Sequence, residues 1–229
     1  KAGIHTQYIL TSESEETGQA FITVDEAGQN TILVYGGANM TLSATDVEMS
    51  VDAFIGADFV VAQLEVPFEA IEQAFKIARK QNITTVLNPA PAIELPKSLL
   101  ELTDIIIPNE TEAELLTGIS INNESDMKET ATYFLDLGIS AVLITLGEQG
   151  TYCAYQEQYK MIPACNVKAI DTTAAGDTFI GAFLSELNKD LSNLESAIRL
   201  ANQASSLTVQ RKGAQASIPT RKEVEAEYN

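Results

Sequence analysis

The densest chemistry in the sequence lies in Asp171-Thr172-Thr173-Ala174-Ala175-Gly176-Asp177-Thr178-Phe179. Small residues cluster where a helical pattern begins. The first turn of a helix leaves backbone N–H groups without intrahelical partners, and small side chains expose them. Such a group of donors is an anion site. Asp177 falls in that first turn, where the helix dipole favours the ionised carboxylate. A carboxylate beside a phosphate cradle suits phosphoryl transfer. It accepts the proton of an attacking hydroxyl while the N–H groups stabilise charge building on the transferred group. On spacing alone an ordinary capped helix start is an equal reading, with Thr172 or Thr173 as the cap and Asp177 offsetting the dipole. Neither G-x-x-x-x-G-K-S/T nor G-x-G-x-x-G occurs, which argues against P-loop and Rossmann sites.

Other positions carry weaker signals. Asn109 and Glu112 have the spacing of a helix cap with a capping-box partner. Gly147 and Gly150 permit close backbone approach or a plain hairpin turn. Glu65 follows an apolar run and reads as a solvated strand-end acid. Asn202 reads as a solvated polar residue on a helix. Arg211-Lys212-Gly213 reads as a helix C-terminus with a glycine cap.

Elements must hold these residues in place. Tyr8-Ile9-Leu10, Ala20 to Val24 and Thr31 to Val34 read as short strands, separated by polar turns such as Glu13-Ser14-Glu15-Glu16 and Glu26-Ala27-Gly28-Gln29. The rhythm then changes. Helical spacing covers Asp46 to Ile55 (Val47, Val51 and Phe54 inward), Pro67 to Lys80 (Phe68, Ile71, Phe75 and Ile77 inward), Glu110 to Leu116 and Glu124 to Leu137. Two more helices follow, from about Ala175 to Asn188 and Leu194 to Gln210. Apolar strands are expected at Asp58 to Ala62, Ile83 to Leu87, Asp104 to Ile107 and Ala141 to Thr145, and a hairpin from Thr151 to Ile162. Strands alternating with amphipathic helices predict an α/β fold, a mostly parallel sheet flanked by helices. Ligands of such sheets sit beyond the strand C-termini, so the loops after Ala62, Leu87, Ile107 and Thr145 should carry the site.

Composition narrows the partners. The 229 residues carry a formal net charge of −18, which repels nucleic acid and anionic membranes. A phosphorylated ligand then needs a local positive field from helix N-termini or a bound cation. No run of about 18 apolar residues suggests a membrane span, and no signal segment opens the chain. Cys153 and Cys165 read as buried, inert thiols of a reducing cytoplasm rather than a disulfide. The single histidine, His5, is too little for a His-based metal site or a Ser-His-Asp triad, and is expected at the surface.

The segment from Asp171 to Phe179 resembles the C-terminal signature of the ribokinase family of carbohydrate kinases. Further stretches agree in the same order: Gln63-Leu64-Glu65, Asn88-Pro89-Ala90-Pro91-Ala92, Pro108 to Glu114, Leu146-Gly147 and Arg211 to Pro219. The resemblance covers essentially the whole chain. It implies a ribokinase-like α/β fold with a small β-sheet lid at residues 1–35 and a nucleotide-binding, catalytic domain over 36–229. It implies ATP-dependent phosphorylation of ribose at its 5-hydroxyl. Another sugar or nucleoside, or nucleotide binding without catalysis, are the alternatives.

Residue by residue, Asp177 matches the family's catalytic base, and Ala174, Ala175 and Gly176 its anion hole. Glu65 matches a carboxylate on the sugar hydroxyls. Asn109 and Glu112 match a motif that helps hold phosphates and Mg²⁺, largely through water. Thr145, Leu146, Gly147, Glu148, Gln149 and Gly150 match the loop along the nucleotide, and Asn202 a position near adenine. Asp171, Thr173, Thr208, Arg211, Gly213 and Ser217 match loops around an activating K⁺, several through backbone carbonyls. Pairing of two lids into a homodimer is also implied. The family's sugar-binding Asp and Gly-Gly segment have no counterpart here, since Gly36-Gly37-Ala38-Asn39 aligns with a later turn. The chain also opens without methionine, and it is expected to be a fragment lacking central sheet strands and part of the lid, whether the rest is truncated, removed or supplied separately. This polypeptide alone is expected to keep the nucleotide and cation sites and to lose sugar affinity.

Overall fold

The computed structural model describes residues 3–24 and 30–228, so the turn expected at Glu26-Ala27-Gly28-Gln29 lies outside the described residues. The chain divides into two units, Lys1–Thr103 and Asp104–Asn229.

In the first unit, β1 (Gln19–Val24) and β2 (Asn30–Tyr35) pair antiparallel, with Phe21 opposite Leu33. Opposed residues share a face, and both of these are exposed. Tyr8-Ile9-Leu10 is not the strand expected from its residue types. Ile9 N–H donates to the Thr6 carbonyl at 3.1 Å, closing a turn, and all three side chains are exposed. A strand needs a neighbour to satisfy its backbone groups, and no described strand pairs here.

The helix expected from Asp46 to Ile55 is two pieces, α1 (Ala44–Met49) and a 3₁₀ turn, Val51–Phe54. Ser43 opens α1 through a capping box with Asp46. The Ser50 hydroxyl then donates to the Asp46 carbonyl at 2.9 Å, which competes with the regular helix ladder. The change of pitch turns Val51 outward while Phe54 stays buried.

β3 (Phe59–Ala62) runs parallel to β4 (Thr84–Leu87), with Val61 level with Val86. The crossover between them is α2 (Phe68–Lys80), which buries Ile71, Phe75, Ile77 and Ala78 as its 3.6-residue period requires. Leu64, Ile71, Phe75, Leu87 and Leu99 form one core cluster. Leu99 comes from α3 (Lys97–Leu100), a helix too short to show a period in sequence.

In the second unit, β5 (Ile105–Ile106) leads into α4 (Glu110–Thr117) and α5 (Glu124–Asp136), and then β6 (Ala141–Thr145) lies parallel to β5. Ile105, Ile106, Val142, Leu143 and Ile144 are fully buried, as a strand covered on both faces demands. The expected hairpin forms from β7 (Thr151–Tyr155) and β8 (Gln158–Ile162), antiparallel to each other and continuing from β6. The chain ends with α6 (Ala175–Glu186), α7 (Leu194–Thr208) and α8 (Arg221–Tyr228), the last not foreseen. No helix of the described residues is long and apolar enough to cross a membrane.

Candidate active site

The start of α6 bears on the two readings of the Asp171–Phe179 segment. No side chain caps it; neither Thr172 nor Thr173 does so. Its N-cap is Ala174, held at φ 61° and ψ 12° in the left-handed region. A residue with a Cβ tolerates that conformation at a cost of roughly 1 kcal/mol. Gly176 follows with an ordinary φ and open space where a Cβ would stand. Neither backbone conformation nor neighbouring atoms therefore demands glycine there. Asp177 and Gly176 are exposed, whereas Thr178, Phe179 and Ile180 are buried. The helix thus presents a short acid outward and packs its other face on a base.

That base is α7. The Ser205 hydroxyl donates to the Ala175 carbonyl at 3.0 Å, and the buried hydroxyls of Thr208 and Thr178 lie 3.1 Å apart. Phe179 and Phe183 stack with centroids 6.2 Å apart. Ser205 had no assigned role from sequence; its place as a polar residue on the inner face of the α7 pattern was the available signal.

Asn109 and Glu112 form the capping box of α4. Asn109 Oδ1 accepts from Glu112 N–H at 2.8 Å, Glu112 Oε2 accepts from Asn109 N–H at 2.8 Å, and Glu112 Oε1 accepts from Asn109 Nδ2 at 2.9 Å. Glu112 is buried, and burial raises its carboxyl above the usual range against the opposing backbone hydrogen bond. Asn109 makes a bridge with Thr145 at the end of β6, where Thr145 N–H donates to the Pro108 carbonyl at 2.9 Å. The structure therefore brings the Asn109–Glu112 pair next to the start of the 145–150 loop.

In that loop Leu146 is buried and its N–H donates to the Gly150 carbonyl at 2.8 Å, while Gly147, Glu148 and Gln149 are exposed in a 3₁₀ turn. Gly150 has φ 111°, and a Cβ there would run into the Ile162 carbonyl, so glycine is obligatory for the fold. Asn202 is not the solvated residue that its place on a helix suggested. It is buried; its Oδ1 accepts from the Thr151 hydroxyl at 2.9 Å, and its Nδ2 donates to the Ile162 and Pro163 carbonyls at 3.1 and 3.2 Å. Its amide ties α7 to the β7–β8 hairpin.

The residues of the expected cation loops are drawn together by Asp171. Its Oδ1 accepts from Thr173 N–H at 2.9 Å and its Oδ2 from Gly213 N–H at 2.9 Å. The Gly213 N–H is the first cause, with Thr173, that holds the Asp171 carboxyl at about 2. Ile170 and Asp171 N–H groups both donate to the Val209 carbonyl, and Arg211 N–H to the Thr208 carbonyl at 3.0 Å. Ser217 is buried and its hydroxyl donates to the Ala214 carbonyl at 2.6 Å. A carboxylate among several carbonyls and a hydroxyl is an all-oxygen donor set, suited to a hard cation.

In the first unit, the loops after β3 and β4 are linked. Gln63 Nε2 donates to Asn88 Oδ1 at 3.0 Å, and Leu64 N–H to the Ala90 carbonyl at 2.8 Å. Leu64 is buried under this turn and Glu65 is exposed beside it. Of the two cysteines, Cys153 is buried, and its thiol is pushed up to about 12 by burial; Cys165 is only half-buried, contrary to the expectation for both. His5 is exposed as expected.

The chain belongs to the pfkB family of carbohydrate kinases, whose model matches residues 1–221. It is therefore a sugar kinase, a phosphotransferase. It is 63% identical to a ribokinase of Staphylococcus aureus over 223 residues, which is 97% of this chain and 73% of that protein. It is 45% identical to a ribokinase of Haemophilus influenzae over 221 residues, 96% of this chain and 72% of that protein. The structure of Arabidopsis thaliana ribokinase complexed with ribose and ATP superimposes with a TM-score of 0.82 at 33% identity, covering 93% of this chain and 69% of that one. The expected ribokinase-like α/β fold is thus the fold found.

Proposed function

We propose that this protein transfers the γ-phosphoryl group of ATP to the 5-hydroxyl of D-ribose, with Asp177 as general base. The observation that carries the reading is the start of α6: an uncapped helix N-terminus, a left-handed Ala174, a glycine that the fold does not require and an exposed aspartate in the first turn. The names of the similar proteins, ribokinases of S. aureus and H. influenzae, and the ribose and ATP bound to the Arabidopsis protein support the substrates.

In this reading Asp177 takes the proton as the sugar oxygen attacks. The N–H groups at 174–177 stabilise the charge that builds on the phosphoryl oxygens, aided by the helix dipole. Glu65 orients the sugar through its hydroxyls. The 145–150 loop, with Asn109 at its root, lies along the nucleotide, and Asn202 supports that loop from beneath. Magnesium would be held through water by Glu112 and would neutralise phosphate charge. Asp171, Thr173, Thr208, Arg211, Gly213 and Ser217 would hold a monovalent cation, K⁺, which would order the loop under the anion hole without touching the sugar. The exposed Phe21 and Leu33 of the β1–β2 hairpin support a lid that pairs with a second copy. Two unpaired cysteines support a cytoplasmic setting.

The test is ADP release by the full-length protein across a sugar panel, with K⁺ or choline as the cation. Ribose is expected to give the highest kcat/KM, and K⁺ to raise turnover. Preference for a nucleoside or a hexose would overturn the substrate; ADP release without any sugar dependence would overturn the kinase mechanism.

A further inference from the structure

The cation loop of the second unit is fastened at a point that the reading above does not use. The Arg211 guanidinium donates to Glu223 Oε1 at 2.8 Å. Glu223 stands in the first turn of α8, where its other oxygen accepts from Thr220 N–H at 2.7 Å and from the Thr220 hydroxyl at 2.8 Å. One carboxylate therefore both caps α8 and grips the loop.

The helix itself is seated by other contacts. Val224 is buried against Ala204 and Leu207. The Tyr228 hydroxyl lies 2.6 Å from the Ser206 hydroxyl, and Arg221 pairs with Glu186 at 2.7 Å. None of these contacts uses the Glu223 carboxylate, so α8 is expected to stay seated when that charge is removed. From Arg211 the connection continues two residues on to Gly213, whose N–H holds Asp171 Oδ2; Asp171 Oδ1 holds Thr173 N–H, one residue before the left-handed Ala174.

We propose that Glu223 is a positioning residue for the monovalent-cation loop: through Arg211 it presets the backbone carbonyls around residues 208–213, and so raises cation affinity. The proposal rests on the cation reading given above. It predicts that the side chain of Arg211, as well as its carbonyl, matters for the cation. Preorganisation of this kind lowers the ordering cost of binding.

The experiment compares the wild type with Glu223→Gln, Arg211→Gln and the double variant. Glutamine at 223 keeps an oxygen for the Thr220 cap and removes the charge. Thermal midpoints are recorded along a series from choline chloride to KCl at constant ionic strength, so that screening of the pair does not change along the titration. In wild type the midpoint should rise with K⁺ and saturate. In each single variant the half-saturating K⁺ concentration should increase about two- to five-fold, the range of an exposed ion pair. The double variant should be no weaker than either single one, as one shared interaction requires. Half-saturation unchanged in Glu223→Gln, with wild type still responding to K⁺, would overturn the proposal and leave Glu223 a helix cap. Additive shifts would also overturn it, because Glu223 would then act by a route other than Arg211. A wild type that ignores K⁺ would instead sink the cation reading, and this proposal with it.

Discussion

Gly176 is the residue where site and fold most clearly disagree. Glycine in a helix costs up to about 1 kcal/mol relative to alanine, and nothing around Gly176 requires its absence of a side chain. Gly176→Ala should therefore raise the thermal midpoint by a few degrees, about 2–4 °C for a chain of this size. The same Cβ would stand at the proposed anion hole, so turnover should fall at least about ten-fold. Stability and rate measured on one preparation check both halves. Glu112 makes a second conflict visible. Burial raises its carboxyl above the ordinary 4.5, so folding disfavours its ionised form. A group raised in the folded state contributes most below its unfolded pKa and loses that contribution as pH rises through the folded value. Glu112→Gln retains an acceptor for Asn109 N–H and cannot ionise. The thermal midpoint of the variant relative to wild type should therefore become more favourable between pH 4 and pH 7, while turnover with Mg²⁺ and ATP drops. A pH-independent difference in midpoint would count against a strained, ionised Glu112.

At the scale of elements, α7 is the beam that carries the site, and Asn202 is its main rivet. Asn202→Ala would leave the Thr151 hydroxyl and the Ile162 and Pro163 carbonyls without their partner. Such a loss costs about 2–4 kcal/mol, so the thermal midpoint should fall by more than about 5 °C. A drop confined to nucleotide affinity, with the midpoint intact, would show that Asn202 works on the ligand instead. Most elements were legible in the sequence because their apolar residues kept one period. The inward set of α2 and the fully apolar β6 are examples. The elements that escaped did so for physical reasons. Tyr8-Ile9-Leu10 has strand-forming residues but no described partner strand. α3 is shorter than two turns. α8 is mostly polar, and only Val224 is buried along it. Its start was nonetheless written in Thr220 and Glu223, which have capping-box spacing. The site was partly legible in the same sense. Asp177 could be placed at a helix start, but only the backbone at Ala174 shows that no threonine caps it.

For the whole molecule, the acidic charge of −18 makes the proposed anion site a local device working against the global field. The uncapped start of α6, the capping-box end of α4 and the cation loops lie in one unit, Asp104–Asn229, whereas Glu65 and the Gln63–Asn88 link lie in the other. The central claim is that Asp177 is the base. Its most direct test is Asp177→Asn in the full-length protein, with ribose-dependent turnover and Mg·ATP affinity measured side by side. The account predicts turnover lower by about 10²–10⁴-fold, with nucleotide affinity changed by less than about two-fold. Turnover within ten-fold of wild type would contradict it.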